Sequence, residues 1–297
     1  MVDLASVLIA LLNGLANGMI LFLAAIGLTL IFGVLGVLNF AHGSLYMMGA
    51  YFTVLLFSAE GLPVISGNFW ALLLLAPLLV AVVGGIMERF VIRQIYDHDH
   101  EFQLLLTFAL VLVLDNGVRI LFGARPRSMS IPSELQFSVG IAGKSFAAYN
   151  LFLIGIGAIT IVLLWSLFNY TQFGRRVRAA SQDREIADAH GINVLGIFTV
   201  VFFLGSFLAG LGGALAAPYQ SINPALGETI IIESFIIVVI GGLGSFGGAL
   251  VAALLIGLVN STAFLILPSF EPYIPFVLMA AILLVKPAGL FGRGEAA

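Results

Sequence analysis

The chain has 297 residues, 61% of them hydrophobic and 9% charged, against roughly 45–50% and about 25% in soluble domains, which excludes a soluble fold. Fifteen acidic and twelve basic side chains cannot wet a surface of this size, whereas membrane lipid solvates apolar surface without charges, so the composition predicts an all-α polytopic membrane protein. A net charge of -3 removes nucleic acid as a partner, and the absence of cysteine removes disulfides, thiolate nucleophiles and cysteine-ligated metals.

Apolar stretches run over 4–38, 44–58, 70–92, 103–122, 149–169, 195–217, 230–267 and 273–287. At ~1.5 Å per residue and a ~30 Å hydrocarbon core, a span takes about 20 residues. The stretch 230–267 therefore predicts two helical segments around a Gly-rich bend, 44–58 is short for a span of its own, and the total comes to about eight spans. The first residues, Met1-Val2-Asp3, are acidic where a cleaved signal is basic, so the first apolar run is expected to be retained.

Basic residues in short loops resist translocation and set orientation. Arg89, Arg93, Arg175, Arg176, Arg178, Arg184, Lys286 and Arg293 fall on one side of the predicted spans; Arg119, Arg125, Arg127 and Lys144 fall on the other. The larger set predicts cytoplasmic loops at 88–102 and 170–194 and a cytoplasmic C-terminus. Eight spans would put the N-terminus in the cytoplasm, nine outside.

Residues 242–247, Gly-Leu-Gly-Ser-Phe-Gly, match the dinucleotide fingerprint G-x-G-x-x-G, but the next acid is Glu271, beyond Pro268, and the surroundings are lipid-soluble. Close helix packing explains the glycines better. Gly241, Ser245, Ala249, Ala253 and Gly257 recur every four residues, as do Gly205, Ala209, Gly213 and Ala217, and small residues at this spacing let backbones approach in a bilayer.

The segment Leu38-Asn39-Phe40-Ala41-His42-Gly43-Ser44 sets polar side chains and a glycine between two apolar runs, which predicts a broken helix. Two readings stay open: Asn39 and Ser44 cap the next helix while His42 bonds to a neighbour, or the break lines a transport path. Glu233 lies within or at the mouth of a span, where a carboxylate is expensive. Asp115 and Arg119, four apart, are expected to form a local ion pair. The stretch 174–193 is long, polar and bounded by glycines, with a predicted short helix over 179–193 that Gly191 ends. Ala180, Ala187 and Gly191 give it a small-residue side, while Asp183, Arg184 and Asp188 offer polar contacts.

Three blocks carry a family resemblance: Gly27 to Tyr51, the 174–193 loop, and Ile237 to Leu250. With them the whole chain resembles the LivH-type permeases of branched-chain amino acid ABC importers. The family's cytoplasmic loop resembles a weak "EAA…G" motif; here Arg178-Ala179-Ala180 followed by Gly191 stands in its place, without the glutamate. The resemblance implies one inner-membrane permease domain over 1–297, with two related inverted halves of about 1–145 and 146–297. It implies a second permease subunit (LivM-like), two cytoplasmic ATPases and a periplasmic solute-binding protein. The expected substrate path comprises Asn39, His42, Gly43, Ser44 and Glu233, with Gly244 and Ser245 at the second Gly-rich interruption. The expected ATPase-coupling residues are Arg178, Ala180, Asp183, Arg184, Ala187, Asp188, Gly191 and Asn193.

No Walker A motif G-x-x-x-x-G-K-[ST] occurs, so the chain is expected to be no enzyme and to carry no cofactor, ATP being bound by partners. Branched-chain or other apolar amino acids lead as solutes, with urea or short amides as the alternative. An ion-coupled secondary transporter using Glu233 or Asp115 is the rival mechanism.

Overall fold

A computed structural model describes residues 3–58 and 67–292; Arg293, counted above with the larger basic set, and the Met1-Val2 pair lie outside the described residues. The described residues hold eleven α-helices, three short 3-10 helices and one short hairpin. Helix α1 (Leu4–Leu35) is capped by Asp3, which accepts from Ser6 N at 3.0 Å, and stops at Gly36, whose φ of +71° an ordinary side chain resists. Its 32 residues reach about 48 Å, well beyond a hydrocarbon core.

After Gly36 the chain runs back alongside α1 without helix until α2 (His42–Phe57) begins. His42 Nε2 donates to Ala24 O at 2.9 Å, so α2 starts beside the middle of α1 rather than beyond its end. Non-helical backbone at that depth must find partners inside the protein. It does: Asn39 Oδ1 accepts from Ala41 N at 3.1 Å, Thr107 Oγ1 donates to Leu38 O at 3.2 Å, and an Arg184 Nη donates to Leu35 O.

The chain continues through α3 (Phe69–Phe90), α4 (His100–Phe122), a hairpin of β1 (Ser138–Ile141) and β2 (Lys144–Ala147), and α5 (Ala148–Tyr170). Two short helices follow, α6 (Gln172–Gln182) and α7 (Arg184–Ala189), then α8 (Val194–Ala216), α9 (Leu226–Gly241), α10 (Phe246–Ile266) and α11 (Ile274–Val285). Seven helices of the described residues are long and apolar enough to cross a membrane. The 16-residue α2 and α9 are too short alone, at about 24 Å, and complete a crossing with the segments 36–41 and 242–245. The long stretch 230–267 is thus two helices around a Gly-rich bend, and nine segments of the described residues traverse the bundle.

Two ends follow from contacts between loops. At one, Arg184 reaches Leu35 and lies 4.9 Å over the Phe198 ring, while Leu290 N and Phe291 N bond to Ile240 O and Gly241 O at 2.7 and 3.0 Å. At the other, Lys144 Nζ pairs with Asp3 at 2.9 Å and Arg127 forms a backbone bridge with Ile222. Lys144 and Ser6 hold the Asp3 carboxyl well below the usual range. The described members of the two basic sets therefore separate as expected, and Asp3 lies at the end with fewer of them, in line with nine segments rather than eight.

Close helix crossings occur where both partners lack a side chain. A Cβ on Gly205 would sit 2.9 Å from Gly27 O, and one on Gly227 would sit 3.1 Å from Gly43 O. These two contacts fix the α1–α8 and α2–α9 crossings. The stripe on α10 is shorter than expected: Ala249, Ala253 and Gly257 face α1 or α9, but Gly241 ends α9 and Ser245 caps α10 by accepting from Gly248 N at 3.1 Å.

Candidate translocation and coupling sites

The polar side chains of the break at 39–44 are buried, Asn39, His42 and Ser44 each at most 1% exposed, while Phe40 between them is half-buried. Asn39 closes a turn onto Ala41 N, His42 bonds to α1, and Ser44 is not a cap, since its Oγ donates to Asp115 Oδ1 on α4 at 2.7 Å. Asn39 Nδ2 and His42 Nδ1 are buried without a partner. Gly43 faces the backbone of α9, where a Cβ would fall on Gly227 O, so it leaves no open space for a solute in this arrangement.

The expected Asp115–Arg119 ion pair does not form among the described residues. The shorter reach to Ser44, one helix away, satisfies Asp115 instead. This pair lines a groove of about 440 Å³ between α2, α4 and α9, where Arg119 and Glu228 face apolar Phe40, Ile231 and Ile232.

Glu233 opens onto a different space, a cavity of about 570 Å³ that reaches Tyr46 on α2 and Asn260 on α10. Sequence reading missed most of its wall. Asn13 and Asn17, four apart on α1, line it together with Asn150, which donates to Asn13 Oδ1 at 2.8 Å. The signal was present as amides at helical spacing in an apolar run. Gly244 and Ser245 are not on this cavity; they form the bend at the opposite end, Gly244 against Gly33.

The loop 170–194 folds as two helices where one was predicted. Helix α6 begins before residue 179, with Gly174 inside it, and Asp183 breaks the run by accepting from Ile186 N at 2.9 Å to cap α7. Gly191 N and Ile192 N then bond to Asp188 O and Ala187 O at 2.8 and 3.1 Å, a Schellman ending that needs the Gly191 φ of +78°. Asn193 Oδ1 caps α8 through Gly196 N at 2.8 Å.

Of the expected small-residue side, Gly191 is exposed with open space around it, but the two alanines do not face outward. Ala180 and Ala187, 0% and 4% exposed, pack against the chain's own helices, because only a side chain that small lets α6 and α7 lie on the bundle. The free face carries Ser181, Glu185, Ile186 and Asp188. Arg178 donates from Nη1 to Phe168 O at 2.6 Å, and Arg184 turns inward to α1 and Phe198.

Glu88, on α3, escaped sequence reading because it sits in a basic stretch that topology alone accounts for. It is fully buried, accepting from Tyr96 Oη at 2.7 Å and from Thr199 Oγ1 at 2.8 Å, with Arg93 Nε at 4.0 Å. Burial and the Glu88 bond push the Tyr96 phenol well above its usual range. Glu88→Ala is expected to strand the Tyr96 hydroxyl, while Thr199 Oγ1 keeps Leu195 O at 3.1 Å, and to lower stability by about 1–3 kcal/mol, read as a fall in melting temperature of the detergent-purified protein; Glu88→Gln, which keeps an acceptor, should lose less. No group of three His, Asp or Glu side chains placed to hold a metal ion occurs among the described residues.

The long apolar helices, the two broken crossings and the intramembrane polar cavity define a polytopic membrane transport protein. The family described as "Branched-chain amino acid transport system / permease component" matches residues 10–286, and the chain belongs to that family. It is 28% identical over 295 residues to the high-affinity branched-chain amino acid transport system permease protein LivH of Escherichia coli (strain K12), covering 95% of this chain and 94% of that one. The permease protein BraD of Pseudomonas aeruginosa is also 28% identical, with 96% and 95% covered. The probable permease LivH of Methanocaldococcus jannaschii matches at 28%, with 92% and 89% covered.

Proposed function

We propose that the chain is the membrane-spanning permease subunit of an ABC importer in the inner membrane, moving branched-chain or other apolar amino acids. The end with more basic residues is cytoplasmic. A second permease subunit completes the pore, two ATPases supply the energy, and a periplasmic binding protein delivers the solute. The chain catalyses no reaction of its own.

One observation carries the ATPase-driven reading: α6 and α7 are tied, through Arg184, to the end of α1 where the chain breaks. A force applied to α7 from the cytoplasm thereby reaches Leu35 and, six residues on, the segment beneath His42. On this reading Arg178, Asp183, Asp188 and the Schellman turn at Gly191 shape the docking loop, and Asn193 anchors it to α8. Ala180 and Ala187 act by seating the loop on the bundle. The groove with Ser44 and the break at Asn39 to Gly43 belong to the part that moves.

The two inverted halves also belong to this proposal. Exchange of α1–α4 with α8–α11 maps the α1–α10 packing onto the α8–α3 packing and leaves the α1–α8 and α2–α9 crossings in place. Helices α5 to α7, within the second half of about 146–297, take no part in this exchange.

Single cysteines test the orientation against a background with none of its own. Ser181→Cys should be labelled by an impermeant reagent only from the cytoplasm and Ser133→Cys only from outside, both positions being exposed. Co-purification with the binding protein, followed by a thermal-shift panel, tests the solute: leucine, isoleucine and valine should stabilise the complex and urea should not.

A further inference from the structure

The cavity beneath Tyr46 has a composition unlike the rest of the bundle. Glu233 and Glu271 line it, with no Lys, Arg or His among its wall residues. Neither carboxylate makes an ion pair or a side-chain hydrogen bond among the described residues. A carboxylate inside the membrane that lacks a partner is costly, and a cation is one of the things, with a proton or cavity water, that offset that cost. The rest of the polar wall is neutral, made of amides such as Asn17, Asn260 and Gln220 and of hydroxyls.

Two further residues of the same wall each bury a polar atom without a partner. Tyr46 Oη and Asn260 Oδ1 are buried, their residues 1% and 8% exposed, and neither makes a hydrogen bond of ordinary geometry. Buried polar groups in native proteins are satisfied by protein, water or ligand. Asn260 Oδ1 is an acceptor and Tyr46 Oη can accept, so together with the two carboxylates the wall holds several acceptors and no cationic side chain, beside its amide and hydroxyl donors. The volume, about 570 Å³, falls within the ~300–1,000 Å³ usual for small-molecule sites.

We infer that this cavity binds a small primary ammonium ion through Glu233, Glu271 and Asn260, and that it is where the ammonium end of the solute rests within the subunit. The second half of this statement rests on the proposed function; the first does not. The α-ammonium group of an amino acid has three donors and one positive charge, which two carboxylates and an amide oxygen match. The carboxylate end finds no cation here and is left to the amide N–H groups. A site of this kind selects for the amine and tolerates variation at the other end of the molecule.

The full chain in nanodiscs of phosphatidylglycerol, which carries no amine, tests the ammonium site by competition against radiolabelled leucine. The probes are 3-methylbutylamine, which has the amine without the carboxylate, 4-methylpentanoate, which has the reverse, and urea. The amine should compete and the other two should not. Glu233→Gln keeps the shape and should weaken amine binding about tenfold or more, the scale of one charge-assisted hydrogen bond. Glu271→Gln, at the mouth and outside the packed helices, should weaken it in the same direction and serves if Glu233→Gln does not fold. Competition by urea or 4-methylpentanoate equal to that of the amine overturns the inference, as does unchanged amine binding in either variant. ATP-driven leucine uptake that is unaltered in Glu233→Gln would remove the site from the path while leaving the proposed function intact.

Discussion

Gly43→Leu is expected to abolish recovery of folded protein from the membrane. A Cβ at position 43 would fall on the carbonyl oxygen of Gly227 and lie 2.8 Å from Ile231 Cβ, and the remaining three carbons of leucine have nowhere to go. Overpacking a core usually costs about 1–3 kcal/mol. Here the obstacle is the backbone of α9 rather than a side chain that can turn aside, so relief requires the α2–α9 crossing to open. Gly43→Ala should already lower the yield. Gly247→Leu, at a position with open space around it, should give yields near those of the parent. The measurement is the height of the monodisperse peak in size-exclusion chromatography after detergent extraction. A Gly43→Leu protein that folds normally and only loses uptake would return Gly43 to an open path, as the sequence suggests.

Arg184→Ala is expected to separate membrane insertion from coupling. The guanidinium donates to Leu35 O at the end of α1 and covers the Phe198 ring at 4.9 Å. Charged hydrogen bonds contribute about 1.5–3 kcal/mol and cation–π contacts about 0.5–2. Its removal leaves nine apolar segments intact but cuts the bond between the docking loop and the break. Coupling free energies between sites are typically ~1–3 kcal/mol, or about 5–150-fold. Solute-stimulated ATP hydrolysis by the assembled transporter should therefore fall about tenfold or more while the amount of permease in the membrane stays unchanged. Arg184→Lys keeps the charge without the planar fork and should recover part of the loss. Full stimulation in Arg184→Ala would move the link elsewhere, most directly to the Glu88–Tyr96 cluster between α3 and α8.

Two buried atoms, Asn39 Nδ2 and His42 Nδ1, have no partner in this arrangement. A desolvated donor or acceptor raises the free energy of the state that contains it by about 1–3 kcal/mol. Asn39 lies in the non-helical segment and His42 opens α2, so the cost falls at the break itself.

The spans were legible in the sequence because lipid imposes a single requirement, apolar side chains over a fixed length, and it leaves that pattern in the composition. The break after Leu35 was legible too, since Asn39, His42 and Gly43 have no other business inside an apolar run. The partners of polar groups were not. Asp115 had Arg119 one turn away, yet its bond is to Ser44, 71 residues distant, and nothing local records which helix will lie alongside. Small residues at helical spacing announce a close approach without naming the neighbour, so Ala180 and Ala187 suggested a partner's groove and proved to face their own bundle. Glu88 was hidden by the arginines around it. Asn13 and Asn17 were hidden by their neutrality, although two amides on one face of a span carry the same message as a charge in weaker form.

The central claim, that the chain moves solute only when ATPases drive it, is tested most directly by leucine uptake into proteoliposomes holding the permease pair and its ATPases. With binding protein and leucine on the outside and ATP inside, uptake should require ATP and be indifferent to proton or sodium gradients. Uptake by the permease without ATPases, driven by either gradient, would contradict the account and make Glu233 or Asp115 the coupling carboxylate of a secondary transporter.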